Sequence, residues 1–156
     1  MPVGAKPAIQ ARSKQTRDRL LDALDGLLKE RGFEAVTIAE IAARAGVSPA
    51  SIYQRFDNRD AATAILIELY MRRVEDWSRS PRGAVDYRRA GSLREALELT
   101  ALAACRQFGE LGYLMRPAYL HSRLRPDLVG EQWRTLEAQA VEGFKGLLAA
   151  FPDAIR

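Results

Sequence analysis

Apolar residues recur along this chain at intervals of three and four, the spacing that gathers them on one face of an α-helix. Leu20, Leu24, Leu27 and Leu28 form the first such stripe, which stops at Gly32 with Phe33 placed to pack back on it. Thr37-Ile38-Ala39-Glu40 then reads as a capping box, with Val36 and Ile41 at the positions of a hydrophobic staple. The helix it opens is short, because Gly46 supplies the left-handed residue that ends it. Ser48 suits the N-cap of a third helix and Pro49 its first position, where a missing N–H costs nothing. That helix is expected to run through Ser51, Ile52 and Tyr53 to Phe56, after which Asp57-Asn58 breaks and re-caps the chain. No sustained apolar–polar alternation occurs and no hairpin turn separates such runs, so no strand is predicted.

A fourth helix carries Ala62, Ile65, Leu66, Leu69 and Arg73 on one face. Residues 78–91 are polar, basic and interrupted by Pro and Gly, which predicts a linker. Ser92-Leu93-Arg94-Glu95 is a second capping box. The helix after it is apolar on nearly every side, at Leu93, Leu97, Leu99, Leu102, Cys105 and Phe108, which predicts a central, buried helix. Pro117 is expected to end or kink the segment that follows. A last helix is predicted from about Pro126 to Phe151, with Val129, Trp133, Leu136, Ala140, Phe144 and Leu147 in register.

At 156 residues, 47% hydrophobic and 28% charged, the chain can bury a core without disulfide or metal staples. One cysteine excludes an internal disulfide framework and a cysteine-based zinc site, and fits a reducing compartment. The opening MPVGAKPAIQARSKQTR lacks the apolar core of a signal peptide. The longest apolar run, Ala61 to Tyr70, is broken by Thr63 and Glu68 and is too short to span a bilayer. A cytoplasmic protein away from membranes is the expectation. The net charge of +4 leans towards polyanions, and arginine is unevenly placed. From Arg72 to Arg94 there are seven arginines against Glu75, Asp76 and Asp86, a cluster that reads as a solvated linker in preference to a polyanion-binding surface.

The informative stretch is FEAVTIAEIAARAGVSPASIYQRFDNR, residues 33–59. Two short helices joined by a tight glycine-containing turn, with a third in front, describe a helix-turn-helix. Ala42, Ala43 and Ala45 are small where the helices must cross, and Val47 is an apolar turn residue. Ile52 and Phe56 are expected to point inward. Ser51, Tyr53, Gln54 and Arg55 then supply an outer face fit for a major groove ~12 Å wide. Taken singly, Tyr53 reads as a half-buried surface aromatic and Arg55 as a solvated charge; within the motif both read as facing DNA.

Across residues 16–70 the chain resembles the TetR-type transcriptional repressors. The resemblance rests on Gly32-Phe33, on Thr37, Ile41-Ala42 and Ala45-Gly46-Val47-Ser48, on Ile52-Tyr53 and Phe56, and on Asn58-Arg59, where that family usually has lysine after the asparagine. It implies that Ser51, Tyr53 and Arg55 lie on the helix that touches DNA, Tyr53 at a phosphate and Arg55 at a guanine edge. It further implies that Thr37 and Ser48 meet phosphates, that Arg59 adds another such contact, and that Pro49 and Ala50 touch thymine methyls or sugar carbons.

The division it implies is an amino-terminal arm and DNA-binding domain over 1–59, a connecting helix over 60–77, the basic linker 78–91 and a helical regulatory domain over 92–156. The fold class is all-α: a three-helix helix-turn-helix domain plus a helical ligand and dimerisation domain. Relative to such proteins the chain is short of its last two helices, which leaves open truncation, a different mode of dimerisation or the loss of tight dimerisation. Candidates for an effector pocket are Leu102, Cys105, Phe108, Tyr113, Met115, Tyr119, Trp133 and Phe144, for each of which ordinary core packing is the competing reading, with His121 as a polar candidate that competes with a capping or surface histidine. Cys105, among apolar neighbours, is expected to be inert.

The leading expectation is therefore a regulator that binds a palindromic duplex operator as a homodimer and is released by a small apolar or aromatic effector, with no cofactor and no metal. The alternative is a helical ligand-binding or protein-interaction module without sequence-specific DNA binding. An enzyme is not expected, since no Gly-rich phosphate loop or HExxH occurs and the lone His121 has no partner at a catalytic spacing.

Overall fold

The computed structural model describes residues 5–54 and 60–154. Among them are six α-helices, α1 (Ala5–Glu30), α2 (Ile38–Ala45), α3 (Pro49–Tyr53), α4 (Ala61–Arg79), α5 (Leu93–Leu124) and α6 (Glu131–Ala149), with 3-10 turns at Phe33–Ala35, Tyr87–Arg89 and Pro152–Ala154. The described residues contain no strand, and the fold is all-α. No helix among them is long and apolar enough to cross a membrane.

The core is built where α1, α2 and α4 meet the carboxy-terminal half of α5. Leu20, Leu24, Leu27 and Leu28 are all buried, as are Ile41 and Ile52 beneath the helix-turn-helix and Ile65, Leu66 and Leu69 on α4. From α5 come Leu111, Leu114, Met115 and Ala118. Burying these side chains is the dominant favourable term, since each fully covered Leu or Ile contributes about 2 kcal/mol.

The local signals at the amino end act as their chemistry dictates. Thr37 N–H donates to Glu40 Oε2 at 2.9 Å and Glu40 N–H donates to Thr37 Oγ1 at 3.3 Å, a complete capping box. The Thr37 N–H, then the Thr37 hydroxyl donating to the same Glu40 Oε2 at 2.8 Å, and Arg31 at 2.7 Å hold the Glu40 carboxyl below its ordinary pKa. Val36 and Ile41 are both buried at the staple positions. Gly46 ends α2 at φ +64°, ψ +37°. A β-carbon in the left-handed region crowds the following carbonyl, so Gly46→Ala is expected to destabilise by about 1–2 kcal/mol. Equilibrium urea unfolding measures it; a change below about 0.5 kcal/mol would show that the turn relaxes.

Several expectations are corrected. α1 extends back to Ala5, well before the leucine stripe. α3 is described to Tyr53, and the expected continuation through Phe56 with the Asp57-Asn58 break lies outside the described residues. Residues 78–91 are not a free linker: Gly83 N–H donates to the Ser80 carbonyl at 3.1 Å, Arg82 pairs with Glu110, and Tyr87 packs beside a small cluster of Ala90, Ala96 and Leu147. Six of the seven clustered arginines, all but Arg88, are held in ion pairs with carboxylates. At the second box only half the pattern forms. Glu95 N–H donates to Ser92 Oγ, but the Glu95 carboxylate accepts from Gly91 N–H instead of Ser92.

Pro117 does not end a helix; α5 runs through it as one unit of 32 residues. The expected burial of its first half is wrong. Leu97, Leu99, Leu102, Cys105 and Phe108 are exposed, Phe108 at 63%. The cause is a missing neighbour: only Ala96 in this half is fully covered, because α6 lies against α5 sparsely. The last helix starts at Glu131, after turns in which Leu128 and Val129 N–H donate to the Arg125 and Pro126 carbonyls. Phe144, expected in the buried register, is 51% exposed.

Candidate nucleic-acid interface

α2 and α3 are both capped by hydroxyls and both packed from below by one isoleucine, Ile41 and Ile52, each 0% exposed. That geometry sorts the side chains of α3 by face. With Ile52 inward, Ser48, Pro49, Ala50, Tyr53 and Gln54 are exposed and Ser51 is half-buried. Tyr53 is 43% exposed. Ser51 N–H donates to Ser48 Oγ at 3.3 Å, and the two hydroxyl oxygens lie 2.9 Å apart. Thr37 is exposed at the start of α2, its Oγ1 engaged by Glu40. Arg55 and Arg59 lie outside the described residues.

Ion pairs fix the helix-turn-helix on α1: Arg31 to Glu40 at 2.7 Å and Arg44 to Glu30 at 2.6 Å. Both are solvent-exposed, so they set orientation more than they add stability. The stronger tie was not anticipated. Asp25 of α1, 4% exposed, accepts from Lys29 Nζ at 2.8 Å, from Arg73 Nη2 of α4 at 2.8 Å and from the Tyr113 hydroxyl of α5. Burial pushes the Asp25 carboxyl up, but the donors from Lys29, Tyr113 and Arg73 outweigh it and hold the pKa below its ordinary value. Burial and the bond to Asp25 push the Tyr113 phenol up. The signal was an acid set four residues after Leu21, inside a leucine stripe. Nearby, His121 packs edge-on against Phe33 at 4.8 Å, a second contact from α5 to the helix-turn-helix.

The candidate pocket residues do not converge on one cavity. Phe108, Met115 and Tyr119 line an open groove along α5 with Gln107, Gly112 and Arg116. Leu102 borders a separate hollow beside the 81–86 loop. Tyr113 is committed to Asp25 and His121 to Phe33. Trp133 is buried between Tyr70 and Tyr119, at 4.9 and 5.2 Å. Cys105 and Phe144 are exposed, and Cys105 is therefore not shielded by an apolar shell.

Residues 20–61 match the family model of the bacterial regulatory proteins of the tetR family. The chain is 38% identical over 58 residues to the HTH-type transcriptional regulator AlkX of Mycobacterium tuberculosis, covering 37% of this chain and 28% of that protein. Over 65 residues it is 37% identical to the uncharacterized HTH-type transcriptional regulator YdeS of Bacillus subtilis, covering 42% of this chain and 31% of that protein. The matched segment thus spans under a third of either relative. No solved structure matches the chain. The match to the family model and the two relatives, together with the capped helix pair, make the amino-terminal part of this chain a helix-turn-helix domain of the tetR family.

Proposed function

We propose that this chain is a sequence-specific, double-stranded-DNA-binding transcriptional regulator. It acts without enzymatic chemistry, in the cytoplasm, as a repressor that a small apolar or aromatic effector releases. The observation that carries the reading is α3, seated on buried Ile52 with Tyr53 and Gln54 presented outward beside the Ser48 cap. A homodimer places two such helices in successive major grooves, about 34 Å apart, on a palindromic operator. In this reading Thr37, Ser48 and Arg59 meet phosphates, Pro49, Ala50 and Ser51 approach the groove wall, and Arg55 reads a base edge. The effector site is proposed on α5, where Phe108, Met115 and Tyr119 share one groove.

The division into a DNA-binding domain to residue 59, a connector, a basic segment and a regulatory domain from 92 belongs to the same proposal. Leu97, Leu102, Phe108 and Val141, all exposed, favour a second reading in which these helices are a protein-interaction module.

Selection of duplexes from a random library at ~0.15 M salt separates the two. The proposal expects an enriched inverted repeat. Arg55→Ala should relax one position in each half-site at a cost of about 1–3 kcal/mol, while Tyr53→Ala should weaken all sites alike. Enrichment of nothing by the wild-type chain would overturn it in favour of the interaction module.

A further inference from the structure

One line of residues runs down a single face of α1: Arg12, Arg19, Ala23, Gly26 and Glu30, spaced by seven, four, three and four. Its lower half is covered by α2. Ala23 is buried, Arg44 pairs with Glu30, and the Arg44 guanidinium sits where a β-carbon on Gly26 would be 2.9 Å away. α2 ends at Gly46, and there the line emerges: Arg19 Nη1 lies 4.0 Å from the β-carbon position of Gly46. Above that point the face carries Arg19, Gln15 and Arg12, all exposed. Arg12 lies about 10 Å further along the helix, at 1.5 Å per residue.

These cations are unlike most others in the molecule. The neighbouring face of α1 is tied down, Arg17 by Glu68 and Asp18 by Arg72 at 2.6 Å, which fixes this part of α1 on α4. Arg12 and Arg19 have no ion pair among the described residues. The turn they flank leads straight into Ser48 and α3, the part of the surface proposed to meet DNA.

We infer that Arg12, Gln15 and Arg19 form a rail for the DNA sugar–phosphate backbone, extending the helix-turn-helix footprint outward from the Gly46 turn along one flank of the site. The inference rests on the DNA-binding reading above. The occupant is duplex DNA because the face is cationic, carries an amide donor between its charges, and is continuous with the helix that presents Tyr53 and Gln54. Phosphate contacts position a protein without reading sequence, so the rail strengthens binding to all duplexes alike. Lys14, also exposed and unpaired among the described residues, projects from a different face, about 150° away by the 100° turn per residue, and stands outside the rail.

The test is the salt dependence of binding by the full chain to two 30-base-pair duplexes, one selected and one of random sequence. Wild type, Arg12→Ala/Arg19→Ala and Lys14→Ala are compared after circular dichroism has shown equal helix content. Each lost phosphate contact removes about 0.9 from the slope of log affinity against log salt. Two contacts are lost from each protomer of the DNA-bound homodimer, four in all, so the double variant is expected to lose a slope of about 3.6, which is about a thousandfold in affinity at 0.15 M salt. The loss should be the same on both duplexes, with Lys14→Ala near wild type. If the double variant binds as wild type does, or Lys14→Ala loses as much, the rail is overturned while the DNA reading survives. If wild type binds neither duplex, both fall together.

Discussion

Asp25→Ala is expected to cost about 3 kcal/mol and to lower the unfolding temperature by about 9 °C, at 2–4 °C per kcal/mol for a chain of this size. The carboxylate is almost fully covered and takes donors from three helices, Lys29 on α1 itself, Arg73 on α4 and Tyr113 on α5. Removing it leaves two cations and a phenol facing an apolar gap. The loss stays at the low end of the range for broken buried pairs, because the side chains of Lys29 and Arg73 are 57% and 32% exposed and regain water. Arg73 also keeps Asp22 at 3.8 Å. Asp25→Asn should cost less, since it preserves shape and one acceptor. Tyr113→Phe should cost about 1.5 kcal/mol, the value of a hydrogen bond to a charged acceptor. The two changes share a partner, so their effects should fall short of adding.

The pH dependence follows from the direction of the shift. The folded state holds the Asp25 pKa below its unfolded value, so its contribution is present above about pH 4 and is lost as pH falls through the lowered value. Asp25→Ala should therefore show a shallower decline of stability on the acid side. Urea unfolding at pH 7 and pH 3 measures both points. Variants that match wild type at pH 7 would mean that the three donors are no better placed in the folded state than in water.

What the sequence disclosed were signals that act over a few residues. The Thr37–Glu40 box, the Gly46 stop and the Ser48-Pro49 start depend on backbone groups one turn away, so no distant partner can overrule them. The exposed face of α3 was legible for the same reason, because burying Ile52 dictates where Tyr53 and Gln54 point. Burial of α5 was not legible, because a helix apolar on all sides states only that it needs neighbours. Ala96 found one and Phe108 did not. Pro117 does not stop α5, because long helical arms on both sides hold the backbone, and forgoing one N–H costs less than breaking a helix that Leu114 and Ala118 anchor in the core. Asp25 was hidden because its partners lie 48 and 88 residues away, and only the folded chain brings Arg73 and Tyr113 to it. Candidate pocket residues scattered because an aromatic in a sequence pattern carries no direction. Trp133, Tyr119 and Phe144 were one class on paper and are a buried anchor, a groove wall and an open surface in the fold.

Trp133→Ala is the second large loss expected, about 4 kcal/mol, within the range for deleting a buried tryptophan. α6 is held at its two ends, by Trp133 in its first turn and by Leu147 in its last, and the side chains described between Glu137 and Lys145 are all exposed. Trp133 is 3% exposed and meets Tyr70 of α4 and Tyr119 of α5, which touch each other edge-on at 5.6 Å. Its Nε1–H donates to Glu137 at 2.9 Å, so the buried indole leaves no polar group unpaired. Truncation removes the ring that joins the three helices and opens Tyr70 to water. Burial, first, and the bond to Tyr119 hold the Tyr70 phenol above its ordinary pKa. In the variant it should titrate closer to about 10, the value for a solvated tyrosine. Trp133→Phe, which keeps an aromatic face against both tyrosines, should recover most of the stability but not the Glu137 bond. Leu147→Ala, at the other end of α6, should cost about 2–3 kcal/mol and leave Tyr70 untouched. Thermal unfolding with ultraviolet titration of tyrosine reads both quantities at once. A Trp133→Ala chain that loses stability while Tyr70 still titrates high would place the anchor elsewhere on α6, because the aromatic cluster would then close without its central ring.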